Sequence, residues 1–319
     1  MHQGTLHRTS TSKPPIVSVL MLTHNHGSYL QQAIASVQAQ SLQAWELLIG
    51  EDASSDNTAT IAHEAALGDC RIQVFSSPNG ALGFHHNFSR LLSAALSPYV
   101  AFLEGDDWWH EPRKLEWQVA MLQADPSLAF CGGCTRVLDQ RPSPGIHSAQ
   151  IGPAAGSDRL ALPDLIAAYS FHFSSVMMSR QAVKLPGWIF SQYCLDRPLY
   201  LLAASQGDAG VIHAELSTYR LHGGGVWAPL SPLQRAVRSR TLFRAFCCHF
   251  PRCYRRQFRL TLSHILWFYL RDALNQQKPR QALSIILMGV EAAPFLRLLR
   301  QPRPTFGSIL TALKSFIGK

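Results

Sequence analysis

Glu104, Asp106 and Asp107 fall within four consecutive positions at the end of an apolar run, VAFLEGDDWWH (residues 100–110), and Trp108 and Trp109 follow directly. Carboxylates this close repel one another, and taking them out of water without partners is expensive. A solvated acidic turn tolerates that arrangement. A site for a divalent cation makes use of it, because hard cations take carboxylate oxygens. Two more polar clusters end apolar runs in the same way: Thr23 to His26 after PPIVSVLML, and Glu51 to Asp56 after WELLIG.

The elements that must position these clusters alternate in type. PPIVSVLML, WELLIGED, RIQVFSS and YVAFLEGDD read as strands, the first with the β-branched character of a buried parallel strand. Between them, YLQQAIASVQAQ carries apolar residues at 30, 33, 34 and 37. SSDNTATIAHEAA offers Ser55 or Asp56 as an N-cap, and FHHNFSRLLSAAL follows as a third helix. Strands alternating with helices predict an α/β fold with a mainly parallel sheet. In such a sheet ligands bind beyond the carboxyl ends of the strands, so the three clusters should converge on one crevice.

Further on, EPRKLEWQVAML reads as a helix opened near Pro112, and LAFCGGCTRVL and FHFSSVMMS read as strands. LDRPLYLLAASQG reads as a helix opened by Asp196, and GVIHAELSTYRLHGGGVW as a strand pair with a glycine-rich tail. Residues 139–163, with four prolines and three glycines, read as a long flexible loop, of a length that is usually a functional lid or disordered. His24, His26, His85 and His86 show no metal-ligand spacing. Trp108, Trp109 and Trp188 are open to two readings, stacking on a ligand or packing in the core.

Charge divides the chain. Residues 1–225 hold 13 Lys and Arg against 18 Asp and Glu, whereas residues 226–319 hold 16 against 2. The seven cysteines do not form a disulfide framework, and Cys131 and Cys134 are expected as buried thiols in a reducing compartment. The first residues lack the apolar stretch of a signal peptide, and no run is long enough to predict a membrane-spanning helix.

In order along the chain, these motifs resemble family 2 glycosyltransferases of the GT-A fold, over roughly residues 15–227. Thr23-His24-Asn25 and Ser36-Val37-Gln38-Ala39-Gln40 stand where that family has TxN and S(I/V)xxQ. EDASSDNT, residues 51–58, matches DDxSxDxT with Glu51 in place of the first Asp. Glu104-Gly105-Asp106 stands for the metal-binding D-x-D, and EGDDWWHEPRKLEWQ and YRLHGGGVW are similar to segments of one subgroup. The Q-x-x-R-W motif of the processive synthases does not occur.

The resemblance implies an inverting, metal-dependent transferase that uses a nucleotide-diphosphate sugar, UDP-linked in the first instance. Its acceptor would be a saccharide or lipid-linked saccharide in cell-envelope assembly. Asp106 and Asp107 would hold Mg²⁺ or Mn²⁺, with His222 as a supplementary ligand. Glu104 would reach the ribose or help orient the metal shell, Thr23 and Asn25 would flank the base, and Glu51 or Asp52 would accept from its ring N–H. Asp196 would be the catalytic base, although Leu195 replaces the Glu of the commoner pair, and Arg220 would approach phosphate. The alternative is a GT-A-like binding or assembly subunit without turnover.

Three regions are expected: a disordered tail at 1–14, a GT-A domain at 15–227 and a basic helical region at 228–319. Arginines spread among Phe, Leu and Trp in the last region suit either an anionic membrane surface or a helical cap on the domain. A cytoplasmic location is expected, with the inner face of the cytoplasmic membrane as the site the basic region would favour. No nucleic-acid module is recognised, and nucleic acid is not expected as a partner.

Overall fold

The computed structural model describes residues 14–141, 149–154, 156–225, 227 and 229–290. Its first half alternates as the apolar runs dictate: β1 Val17–Thr23, α1 Leu30–Gln38, β2 Trp45–Glu51, α2 Thr58–Gly68, β3 Ile72–Ser76, α3 Phe84–Ala94 and β4 Tyr99–Glu104. There follow β5 Trp108–Trp109, α4 Lys114–Ala124, β6 Leu128–Asp139, β7 Ala149–Ile151, β8 Arg159–Leu160, α5 Leu162–Ala167, β9 Met177–Ser179, α6 Asp196–Ala204 and β10 Asp208–Leu221. Three helices, α7 Pro232–His249, α8 Arg255–Asn275 and α9 Pro279–Val290, complete the described chain.

One mixed sheet runs in the order β3-β2-β1-β4-β9-β6-β10-β5. The first four strands are parallel, β9 lies antiparallel between β4 and β6, and β10 runs parallel to β6. Side chains of β1 alternate between two cores. Val17, Val19 and Met21 join the cluster under α1, α2 and α4, whereas Leu20 and Leu22 join the cluster under α3 and α6. Burial on both faces is why these strands read as unbroken apolar runs.

The second cluster does not stop at residue 227. Ala236, Phe243, Phe246, Phe258, Leu266, Leu270 and Ile285 belong to it together with Phe88, Leu199 and Tyr200. Phe246 is fully buried and meets Phe243, Phe250 and Trp188 edge-on, so its truncation to Ala would cost about 3–5 kcal/mol. The basic helices are therefore packed into the domain core through their inner faces. No helix among the described residues is long and apolar enough to cross a membrane.

Several expectations need correction. The strand pair read at 210–221 is one fourteen-residue strand, β10, because no turn residues interrupt it and register shifts around Glu215 absorb its irregularity. The long loop at 139–163 carries β7, paired with β6, and β8, paired with β10; positions 142–148 and 155 lie outside the described residues. So does the expected tail, apart from Pro14. The N-cap of α2 is Asn57 rather than Ser55 or Asp56, whereas α6 opens at Asp196 as read.

Candidate active site

Parallel register brings the polar clusters together. Thr23 pairs with Glu51, Glu51 with Ser76, and Leu22 with Glu104, so the ends of four strands form one polar edge. The loops beyond that edge are tied to one another. Asn25, at a left-handed φ of 55°, accepts from Ser55 N at 2.8 Å, while its own N–H donates to Ser54 Oγ at 2.9 Å. Gly27 N donates to Asp56 Oδ2 and His26 N to Thr58 Oγ1.

Glu51 and Asp52 also have internal partners. Glu51 Oε1 accepts from Ser54 N at 2.6 Å. Asp52 is buried and accepts from Leu82 N at 2.7 Å, Gly83 N at 2.9 Å and Ser77 Oγ at 3.2 Å, which fixes the loop after β3. An Asn87–Arg90 pair on α3 braces the same edge: Asn87 Nδ2 donates to Gly50 O, and Arg90 donates to Asn87 Oδ1, Ser76 O and Glu51 O.

The two aspartates of the acidic turn have different partners. Asp106 Oδ2 lies 3.0 Å from His222 Nε2 and 3.6 Å from His26 Nε2. Burial opposes ionisation of Asp106, but the hydrogen bond from His222 and the charges of both histidines prevail and hold it below the usual carboxylate range. Asp107 is buried and hydrogen-bonded through both oxygens. Its Oδ2 accepts from Ser174 Oγ at 2.6 Å and its Oδ1 from Arg220 N at 2.9 Å. Burial, and then the neighbouring Asp106 charge, push its pKa well up. Glu104 is raised in the same way by burial and by the charges of Asp106, Asp107 and Asp196.

Arg220 does not reach outward for phosphate. Its guanidinium lies between Tyr29 and Trp108, at 4.6 and 4.7 Å from the ring centroids. Its nitrogens donate to Asp106 O, Gln140 Oε1 and Gln32 Oε1. A fork engaged on all sides positions the acidic turn rather than a ligand. The tryptophans are likewise packed. Trp109 Nε1 donates to Ser174 O and its ring lies under Lys114, while Trp188 stacks on His249.

Asp196 meets Tyr169, whose hydroxyl donates to Asp196 Oδ2 at 2.5 Å. The Asp196 charge opposes ionisation of Glu104 and favours protonation of His172, so all three share one electrostatic environment. Burial nevertheless lowers His172 to about 4, keeping it neutral beside Asp107 Oδ2 at 3.6 Å.

Two sets of side chains suit a divalent cation. In the first, Asp106 Oδ2 and His222 Nε2 stand 3.0 Å apart, the spacing of neighbouring ligands about 2.1 Å from an octahedral ion. In the second, ligand atoms of Glu104, Asp107 and His172 lie within 4.8 Å of one another. The first set has two orphaned buried atoms beside it, Thr23 Oγ1 and His26 Nδ1, neither with a hydrogen-bond partner. Both lie within 3 Å of the point where a Cβ on Gly105 would sit. Buried polar atoms left open in this way are what a bound ligand or water satisfies.

No role for His172, Ser174, Tyr169, Asn87 or Arg90 came from sequence. Only the Asn87-x-x-Arg90 spacing on one helix face offered a signal.

The family model described as Glycosyl transferase family 2 matches residues 18–184, more than half of the chain. A Mycobacterium tuberculosis protein of uncharacterised function is 28% identical over 216 residues, 66% of this chain and 60% of that protein. The putative teichuronic acid biosynthesis glycosyltransferase TuaG of Bacillus subtilis is 33% identical over 134 residues, 41% of this chain and 52% of TuaG. The Escherichia coli UDP-Glc:alpha-D-GlcNAc-diphosphoundecaprenol beta-1,3-glucosyltransferase WfgD is 35% identical over 126 residues, 39% of this chain and 47% of WfgD. The matches thus span about half to three fifths of the length of these relatives. Among solved structures, residues 1–349 of S. aureus TarS superpose with a TM-score of 0.62 at 13% identity, covering 87% of this chain and 81% of that one. The mannosyltransferase PcManGT of Pyrobaculum calidifontis, in complex with GDP-Man and Mn²⁺, gives 0.60 at 14% identity, covering 97% and 82%. At these identities the likeness is one of fold.

Proposed function

Because the chain belongs to glycosyl transferase family 2 and has the GT-A fold, we propose that it moves a sugar from a nucleotide-diphosphate donor, UDP-linked in the first instance, to a hydroxyl acceptor with inversion. The observation that carries this reading is the meeting of Asp106 with His222, 116 positions apart, at the carboxyl edge of the parallel strands.

Asp106 and His222 would hold Mg²⁺ or Mn²⁺, which supplies neutralisation of the donor diphosphate. Asp107 keeps the turn in shape through Ser174 and the Arg220 backbone. The open Thr23 hydroxyl, with Asn25, Glu51 and the loop that Asp52 fixes, lines the place for base and ribose, and Glu104 faces the ribose. Asp196 takes the proton of the acceptor hydroxyl while that oxygen bonds to the anomeric carbon. The bond to the diphosphate breaks, and its electron pair leaves with the nucleotide. Asp196 stands in the first turn of α6, and Tyr169 donates to its Oδ2.

WfgD's name specifies a diphosphoundecaprenol-linked acceptor and TuaG's a teichuronic acid pathway. We extend the class, a saccharide or lipid-linked saccharide of the cell envelope, to this chain. A second reading, a binding subunit without turnover, draws on Leu195 before the base and on the three internal hydrogen bonds of Asp52. A screen of UDP-, GDP- and dTDP-sugars for nucleotide release, with Asp196→Asn as control, decides between them. Release that falls in the variant supports the enzyme. Nucleotide binding with no turnover on any donor or acceptor supports the subunit.

A further inference from the structure

Helix α8 has two apolar faces. Phe258, Leu266 and Leu270 point into the core, whereas Leu260 and Phe268 are 44% and 63% exposed on the other side. Arg256, Leu260, His264, Phe268 and Arg271 are all exposed and recur at intervals of four, four, four and three, so they form one line along the helix. Helices α8 and α9 are joined by three residues, with Lys278 N donating to Ala273 O in the turn. In this hairpin Phe268 lies nine positions before Gln277 and Leu287 ten after it, so both stand at one level; Leu287 is 64% exposed. The result is two exposed apolar side chains on α8, level with a third on α9, with arginines toward each end of α8.

We infer that this outer face of the α8–α9 hairpin docks on an anionic lipid bilayer. Exposed Phe and Leu among arginines are what an interfacial helix inserts, and the basic groups meet anionic headgroups. Charge argues against the other occupants. Residues 291–319 are themselves basic, with five Lys and Arg against one acid, and so are unsuited to covering an arginine-lined face. A second copy would present the same arginines. The acid within α8, Asp272, already faces Arg235, 3.9 Å away, and does not neutralise the face. The inference stands apart from the catalytic reading, because binding is measured without donor or acceptor.

The test is flotation of the full chain with phosphatidylcholine vesicles, with and without about 30 mol% phosphatidylglycerol, at about 0.1 M and about 0.5 M salt. Binding is expected only to the anionic vesicles and weakens with salt. Phe268→Ser with Leu260→Ser should weaken it about tenfold, as should Arg256→Gln with Arg271→Gln. Leu67→Ser, at a site on α2 that is 90% exposed, should leave it unchanged. These outward positions should leave thermal unfolding unchanged, which the same samples check. The inference is overturned by absent binding, by equal binding to neutral vesicles, or by α8 variants that bind like the parent. It is also overturned if those variants abolish a concentration-dependent dimer or single-stranded RNA binding while vesicle binding persists.

Discussion

His222 Nε2 lies 3.0 Å from Asp106 Oδ2, and the Nδ1 of the same imidazole accepts from Gly224 N at 3.2 Å. A histidine held at both nitrogens is oriented: with Nδ1 accepting, Nε2 carries the proton toward the carboxylate that ends the D-x-D-like turn, and a cation held at Nε2 would move that proton to Nδ1 in place of the Gly224 hydrogen bond. That contact joins the end of β10 to the end of β4 and gives the candidate centre its shape.

Gly105 is required for space. A Cβ there would sit 2.7 Å from Thr23 Oγ1 and 2.9 Å from His26 Nδ1. Gly105→Ala should cost about 1–3 kcal/mol and move both open polar atoms. We expect a folded protein with a lower melting temperature and nucleotide affinity reduced at least about tenfold. Unchanged affinity by calorimetry would place the ligand elsewhere.

Arg220 is expected to act through the acidic turn. Arg220→Lys keeps the charge but loses the fork that reaches Asp106 O, Gln140 and Gln32. The loss should be about 2–4 kcal/mol in denaturant unfolding, with activity falling as well. A variant as stable as the parent would contradict this positioning role.

The strands were legible because two-sided burial writes itself as apolar runs, and because polar residues stop those runs at one edge. Glu104, Thr23 and Glu51 therefore came together as expected. Pairings between distant segments were not legible. Nothing near Tyr169 marks it as the partner of Asp196, and nothing in the sequence shows that Asp107 accepts from Ser174 and the Arg220 backbone while Asp106 faces His222. Arg220 is placed toward phosphate by its position beside His222, which does not show that its guanidinium meets Asp106 O, Gln140 and Gln32.

Lys114 gives the protein a pH-dependent stability. It is fully buried, donates to Gln118 Oε1 at 2.7 Å, and its ammonium lies 3.9 Å from the Trp109 ring centroid. Burial lowers its pKa from 10.5 to about 7. Between those values the unfolded chain binds a proton that the folded chain does not, so this residue makes stability rise with pH from about 7 to 10.5 and leaves it flat below. Lys114→Met should remove that slope and stabilise the protein at pH 6 to 7 by on the order of 2–4 kcal/mol. Urea unfolding across the range reads it, and a slope that survives in Lys114→Met would assign it to another group.

Tyr169→Phe tests the orientation of the proposed base. Losing a hydroxyl that donates to the Asp196 carboxylate should lower kcat roughly tenfold, with donor KM unchanged. Asp196→Asn should lower kcat by about 10² to 10⁴ while donor affinity is kept. A donor KM that rises in step in either variant would move Asp196 from the chemical step to binding.

The central claim, that Asp106 and His222 together hold the metal that binds a nucleotide diphosphate, is tested most directly by calorimetry of UDP with and without Mn²⁺. The parent, Asp106→Asn and His222→Ala are compared, and GDP and dTDP follow if UDP is silent. The account predicts Mn²⁺-dependent binding in the parent that is lost in both variants. Binding that needs no metal, or that survives both substitutions, would contradict it.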